Sequence, residues 1–208
     1  MITLYHRPQT RATRFIVLLE ELGAPYTIRS VTLRQRDGSG GADPANPHPH
    51  GKVPAISDDG VVVFESPAIA LYLTDKFPQN RLGPLVGDPL RGPYLSWLAY
   101  YGGELEPAFM CKFMKIEAPR PTAGWASLEE VMPVILARLE RGPYLLGDTF
   151  TAVDVLYGST FALFGKSDLL PKSPLIEAYA RRFTDRPAFA RAMALEAATV
   201  AAGTGQSA

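Results

Sequence analysis

The sequence predicts a two-part molecule, an α/β domain in the order βαβ–ββα followed by an all-helical bundle. Three observations predict it. Residues 1–77 alternate strand-like and helix-like patterns. Between Pro78 and Pro93, seven of sixteen residues are glycine or proline, the composition of a boundary. Past that stretch the apolar residues keep only helical spacing. A chain of 208 residues suits one or two domains and can bury roughly 70% of its unfolded surface. The expected organisation is a first domain over 1–78, a linker over 79–88 and a helical domain over 89–208.

Ile2–Tyr5 is a short β-prone run suited to a buried strand. From Ala12 to Leu22 the apolar residues Ala12, Phe15, Ile16, Leu18, Leu19 and Leu22 keep a 3.6-residue period, and Gly23 follows where helix ends favour glycine. Pro25 resets the chain, and Tyr26–Val31 reads as a second strand. Arg34–Gly51 holds Gly38, Gly40, Gly41, Pro44, Pro47 and Pro49 and reads as an irregular loop. Val53–Ser57 and Val61–Glu65 are β-branched runs joined by Asp58-Asp59-Gly60, a three-residue hairpin loop. Ser66-Pro67 opens a helix that runs through Leu73 to Phe77, with serine as its cap and proline where no amide is needed. Helical patterns then cover Leu90–Glu117, 126–141 with a kink at Pro133, Ala152–Phe164, Leu175–Phe183 and Pro187–Ala198. Residues 203–208 read as a frayed end.

Composition narrows the function. Hydrophobic residues make up 47% and charged residues 20%, which excludes wholesale disorder. The net charge is zero, so the chain lacks the broad positive field used for nucleic-acid or membrane-surface binding. Cys111 is the only cysteine, so neither an intrachain disulfide nor a cysteine zinc site can form, and no metal is expected. No apolar run reaches the ~20 residues of a membrane span, and Met1–Arg7 does not read as a signal peptide, so the expected setting is the cytoplasm. Residues 1–52 carry seven cations against four carboxylates and all three histidines. That bias suits a small anionic ligand, and ordinary surface composition accounts for it equally well.

Four collinear segments carry a family resemblance. They are Gly51-Lys52-Val53-Pro54-Ala55-Ile56, Phe64-Glu65-Ser66-Pro67-Ala68-Ile69-Ala70-Leu71-Tyr72-Leu73, the run from Tyr144 to Asp154 (YLLGDTFTAVD), and Arg186-Pro187-Ala188-Phe189. In this order they resemble segments of the cytosolic glutathione transferases, specifically bacterial members of the serine or threonine type. The resemblance spans about residues 1–198. It implies a thioredoxin-like first domain, a helical second domain, glutathione as co-substrate and a two-fold homodimer.

The same resemblance implies a site. Pro54 would be cis, turning the backbone of Val53 toward the cysteinyl part of glutathione. Glu65 and Ser66, at a strand-to-helix corner, would take the γ-glutamyl ammonium and carboxylate, since a carboxylate pairs with the former and helix N-terminal amides with the latter. Lys52, and more weakly His50, would meet the glycine carboxylate. Thr10 takes the catalytic position, its hydroxyl stabilising a thiolate whose free pKa is near 8.5. Gln9, Arg11 or a backbone amide are alternatives for that role, and helix capping is another use for a threonine there. The tyrosine-type phenol would fall at His6, and Tyr5 points to the other face of the strand. The first domain has no cysteine, which excludes the cysteine type. Thr151 and Asp154 form a capping box, a structural feature. Trp97, Tyr101 and Phe109 on the first helix of the second domain are candidates to line a pocket for a small hydrophobic electrophile, although an aromatic stripe equally builds a core or a dimer contact. Beside conjugation, the fold leaves open a non-catalytic interaction module, or peroxide reduction, isomerisation or dehalogenation with glutathione.

Overall fold

A four-stranded mixed sheet opens the computed structural model, which describes residues 1–35, 37–117, 122–165 and 167–204. Strands β1 (Ile2–His6), β2 (Tyr26–Ser30), β3 (Ala55–Asp58) and β4 (Val61–Phe64) lie in the order β2-β1-β3-β4. β1 runs parallel to β2, while β3 is antiparallel to both β1 and β4. Helix α1 (Thr13–Leu22) connects β1 to β2, and α2 (Ser66–Lys76) follows β4, as the alternating patterns predict. Phe15, Ile16, Leu18, Leu19 and Leu22 of α1 are buried. Gly23 ends that helix in the left-handed conformation at φ 56°, and the Ala24 N–H donates to the Leu19 carbonyl at 3.1 Å.

The hairpin is tighter than expected. Asp58 pairs with Val61 inside the ladder, leaving Asp59-Gly60 as a two-residue turn with φ of 48° and 91°. Positive φ at both positions is the mirror-image turn that matches strand twist, and it favours an Asp-Gly pair. Asp58 therefore belongs to the strand. Its buried carboxylate forms an ion pair with Lys76 and accepts from the Tyr72 hydroxyl at 2.7 Å. Lys76 first, then Tyr72, hold that carboxyl below the usual carboxylate range.

The chain divides into two compact units, one of Met1–Asn80 with Arg186–Ala208, the other of Arg81–Asp185. The second unit holds α3 (Arg91–Tyr100), a widened π turn (Tyr101–Leu105), α4 (Glu106–Met114), α5 (Leu128–Leu139), α6 (Ala152–Phe164) and α7 (Pro174–Thr184). The single helix expected over Leu90–Glu117 is thus two helices joined through the π turn at Gly102-Gly103, and it ends at Met114. Its core is aromatic. Tyr157 meets Trp97, Tyr101 and Phe161 edge-on, and Phe161 in turn meets Tyr179. Helix α6 starts in a capping box of Thr151 and Asp154. Asp154 is fully buried and accepts from the N–H of Thr151 (2.8 Å) and Leu145 (3.0 Å) and from the hydroxyls of Thr151 (3.1 Å) and Tyr179 (2.7 Å).

The last helix corrects the expected domain division. Helix α8 (Pro187–Thr204) belongs to the first compact unit, not to the helical one. Arg186 grips Glu21 with two nitrogens at 2.5 and 2.8 Å, and Arg191 reaches Glu20 at 2.5 Å. Ala188, Ala192 and Glu196, spaced four apart, form its buried stripe. Glu196 accepts from the Gln9 N–H at 2.5 Å and the Thr13 hydroxyl at 2.9 Å. Its other oxygen lies 2.9 Å from Nε2 of His6, a close contact poorly aligned as a hydrogen bond. The helix continues through residues 203–204 of the expected frayed end, and 205–208 lie outside the described residues.

Two stability predictions follow from these carboxylates. Asp154→Ala strands several buried donors at once, and each stranded group costs about 1–3 kcal/mol. Urea unfolding should therefore show a loss of about 3 kcal/mol or more, above the ~0.5–2 kcal/mol of an ordinary cap. Burial pushes the Glu196 carboxyl up, but His6, the Gln9 amide and Thr13 outweigh it and hold it below its ordinary 4.5. A carboxyl depressed in the folded state contributes stability above its unfolded pKa and loses it as pH falls through the folded value. Glu196→Gln should cost about 1–3 kcal/mol at pH 7. That deficit should shrink below about pH 4.5, as read by unfolding curves at both pH values.

Candidate functional site

Strand register gathers the candidate residues of the first unit. Ala55 pairs with Tyr5 on one side and with Phe64 on the other. The residues that continue these strands therefore emerge at one end of the sheet: the turn after His6, the Lys52–Pro54 segment before β3, and the Glu65–Ser66 corner after β4. The loop after β2 leaves from the same end, because His6 pairs with Ser30 and its carbonyl accepts from Val31 at 3.0 Å. This is the carboxyl end of the parallel strands, where α/β sheets place ligands.

The turn after β1 is tightly fixed. Gln9 has φ 59°, an uncommon conformation for a residue with a side chain, and its N–H is held by Glu196. The Thr10 hydroxyl donates to the Arg7 carbonyl at 2.7 Å and accepts from the Ala12 N–H at 3.2 Å. Thr10 stands three residues ahead of α1 and braces the turn, so it is not the cap at the first helical turn. Gln9 and Arg11 are exposed beside it. Tyr5 is packed with Val31 and Ala55 in an apolar cluster to which Leu33 and Val53 add.

The Val53-Pro54 peptide is cis, and the β3 ladder begins only at Ala55, so Val53 lies outside it. The loop ahead of it is pinned by Asn46, which is buried. Asn46 donates through Nδ2 to the Lys52 carbonyl at 2.9 Å and accepts through Oδ1 from the His48 N–H at 3.1 Å. Gly51 has φ 59°, and a Cβ there would come within 2.7 Å of the Ala42 Cβ, so the approach to Lys52 requires glycine. The Lys52 and His50 side chains are exposed.

At the strand-to-helix corner Glu65 is the residue before the helix, with φ 69°, and its side chain is 70% exposed. The helix starts at Ser66 itself, which corrects the expected serine cap: Ser66 is buried in the first turn, with Pro67 next. The corner thus presents an exposed carboxylate next to the first amides of α2, a site able to take an ammonium and a carboxylate together.

The three aromatic residues expected around an electrophile divide differently. Tyr101 is buried, its hydroxyl paired with Thr160 at 2.9 Å and with Glu106. Phe109 is buried against Phe164 with ring centroids 4.7 Å apart. Both are core residues of the helical unit. Trp97 is half-buried, and its carbonyl accepts from the Tyr157 hydroxyl at 3.0 Å. A concavity in the helical unit, bounded by Cys111, Lys112, Trp125 and Leu128 among others, contains none of the three. Among the described residues no three His, Cys, Asp or Glu side chains gather as a metal site requires. No described helix is long and apolar enough to cross a membrane.

Three site residues escape sequence reasoning: Asn46, His48 and Glu196. Glu196 had a visible signal, as the only charge in Ala192–Ala201, a run otherwise made of small or apolar residues and one threonine. His48 and Asn46 lie in a loop with no periodicity to read.

Comparison with known proteins matches this geometry to a family. The family model "Glutathione S-transferase, N-terminal domain" matches residues 10–76, which run from Thr10 at the end of the turn through the cis-proline edge and the Glu65 corner to the end of α2. The chain is 29% identical to glutathione S-transferase GstA of Escherichia coli O157:H7 over 198 residues, covering 93% of this chain and 98% of that one. It superimposes on a glutathione transferase from Methylococcus capsulatus with a TM-score of 0.76 at 31% identity, covering 95% and 99% of the two chains. A sphingomonad glutathione S-transferase crystallised with glutathione matches at TM-score 0.71 and 27% identity, covering 94% and 98%. With the Methylococcus capsulatus relative 31% identical and matched over almost its whole length, and with the cis-proline edge and the Glu65 corner inside the matched N-terminal segment, the chain belongs to the glutathione S-transferase family.

Proposed function

We propose that the protein conjugates the thiolate of glutathione to small hydrophobic electrophiles, with glutathione as its co-substrate. The observation that carries this reading is the register that brings the Thr10 turn, the cis Val53-Pro54 edge and the Glu65–Ser66 corner to one sheet end. The glutathione held by the sphingomonad relative supports the choice of ligand. In this reading the cysteinyl backbone pairs with Val53 beside Pro54, whose main-chain groups stand outside the ladder. Glu65 takes the γ-glutamyl ammonium, and Ser66 with the first amides of α2 takes its carboxylate. Lys52, seconded by His50, meets the glycine carboxylate.

The thiol then faces the turn after β1. We assign the sulfur donor to Thr10, whose hydroxyl swings from the Arg7 carbonyl to the thiolate; Gln9, Arg11 and the turn's amides are its neighbours there. The threonine type is supported by Tyr5 being locked in its apolar cluster and by Cys111 lying in the helical unit. Chemically, the thiol proton leaves to solvent and the sulfur attacks an electrophilic carbon. A C–S bond forms as the leaving group departs with its electron pair. Thiolate population and the positioning of two reactants supply the rate gain. We also read the protein as a cytoplasmic homodimer, supported by Val61, Val62 and Phe64, which stand exposed on the edge strand β4.

Titration calorimetry should show glutathione binding at millimolar concentration or below, and an activated aryl chloride should be conjugated. Absence of binding removes the enzyme reading. Thr10→Ala should keep the fold and most of the affinity while lowering the acid dissociation constant of the bound thiol by about tenfold, the weight of one charge-assisted hydrogen bond, read as a shift of about one pH unit in its ultraviolet thiolate absorbance. An unchanged absorbance moves the role to Gln9, Arg11 or a backbone amide.

A further inference from the structure

We infer that His48 is a positioning residue of the γ-glutamyl subsite, its Nε2–H holding the Glu65 carboxylate in place for the ligand's ammonium. This rests on the glutathione reading above and adds a residue to it.

The imidazole is buried, only 5% exposed, beside Glu65, Lys52 and His50, whose side chains face solvent. A buried imidazole needs partners for both nitrogens. Nδ1 accepts from the His50 N–H at 3.1 Å, so in the neutral ring the proton sits on Nε2. That nitrogen faces Glu65 Oε1 at 3.9 Å. The gap exceeds a direct hydrogen bond, and rotation of the exposed Glu65 side chain closes it. The ring is fixed on its other sides by Phe64, with centroids 5.4 Å apart, and by Asn46, which holds the His48 N–H. Burial, joined by His50 and Lys52 and opposed by Glu65, holds the imidazole below the ordinary histidine value of 6.5, so it is neutral at pH 7.

Neutrality is what the task requires. A lysine or arginine here would pair with Glu65 and compete with the ammonium of the ligand. A neutral N–H donor orients the carboxylate and leaves its full charge for the ligand. Glu65 needs such a partner, because its side chain projects into water from a corner residue at φ 69°.

The test compares glutathione with its analogue lacking the γ-glutamyl amino group, by calorimetry at pH 7. The wild type should prefer glutathione. In His48→Phe, which keeps a ring against Phe64, the Kd for glutathione should rise about fivefold to tenfold while that for the deaminated analogue stays unchanged. His48→Gln, which keeps an N–H donor, should recover part of the preference. Equal weakening of both ligands in His48→Phe, or no weakening of either, overturns the role. Failure of the wild type to bind either ligand is a separate result, and it removes the glutathione reading together with this one.

Discussion

The pairing of β3 between β1 and β4 is the constraint on which the site depends. Ala55 faces Tyr5 on one flank and Phe64 on the other, so a single register decides which residues leave the sheet together. A slip by one residue would invert every side chain on β3 and separate Pro54 from Glu65. The register is held from its far end. There the Asp59-Gly60 turn closes the hairpin, and the buried Asp58 ties the end of β3 to Tyr72 and Lys76 on α2. The same α2 begins at Ser66 in the strand-to-helix corner, so one helix anchors both ends of the hairpin.

Much of this was legible in the sequence, for physical reasons that differ by element. Helix α6 was placed at both ends because its start is written in side chains, Thr151 and Asp154, and its body is continuously apolar. The Val53-Pro54 edge and the Glu65–Ser66 corner could be located because proline and a strand-to-helix change leave marks in a short stretch. The hairpin loop was read one residue too long because Asp58 looks like a turn residue; nothing local shows that Lys76 and Tyr72, eighteen and fourteen residues later, neutralise and bury it. The serine cap failed for a related reason. Ser66-Pro67 fits a cap followed by proline, but the backbone at Glu65 takes φ 69° and the helix begins a residue earlier in its place.

Long-range contacts explain the other departures. Helix α8 continues a helical half by pattern alone, yet Arg186 and Arg191 meet Glu21 and Glu20 of α1, partners about 165 to 171 residues away in sequence. Tyr101 and Phe109 belong to an aromatic stripe whose spacing suits a pocket, a core or a dimer contact, and Thr160 and Phe164 on α6 take them into the core. Spacing along one helix shows which residues share a face and says nothing about which neighbour covers it.

Two buried carboxylates show how the same chemistry is put to different uses. Burial acts to raise both Asp154 and Glu196. In Asp154 burial wins over four hydrogen bonds, and the carboxyl sits above its ordinary value at the start of a structural helix. In Glu196 the side chain keeps a little exposure, and contacts with His6, Gln9 and Thr13 prevail. It is therefore an anion at neutral pH, seated where it fixes the N–H of Gln9, the residue directly before Thr10. Deep burial with local donors produces a cap that serves one helix. Partial burial with donors from the turn and α1, beside a close contact to His6 of β1, produces a brace that sets the geometry of the turn after β1. The difference lies in where the partners come from, and it makes the last helix part of the support of the turn after β1.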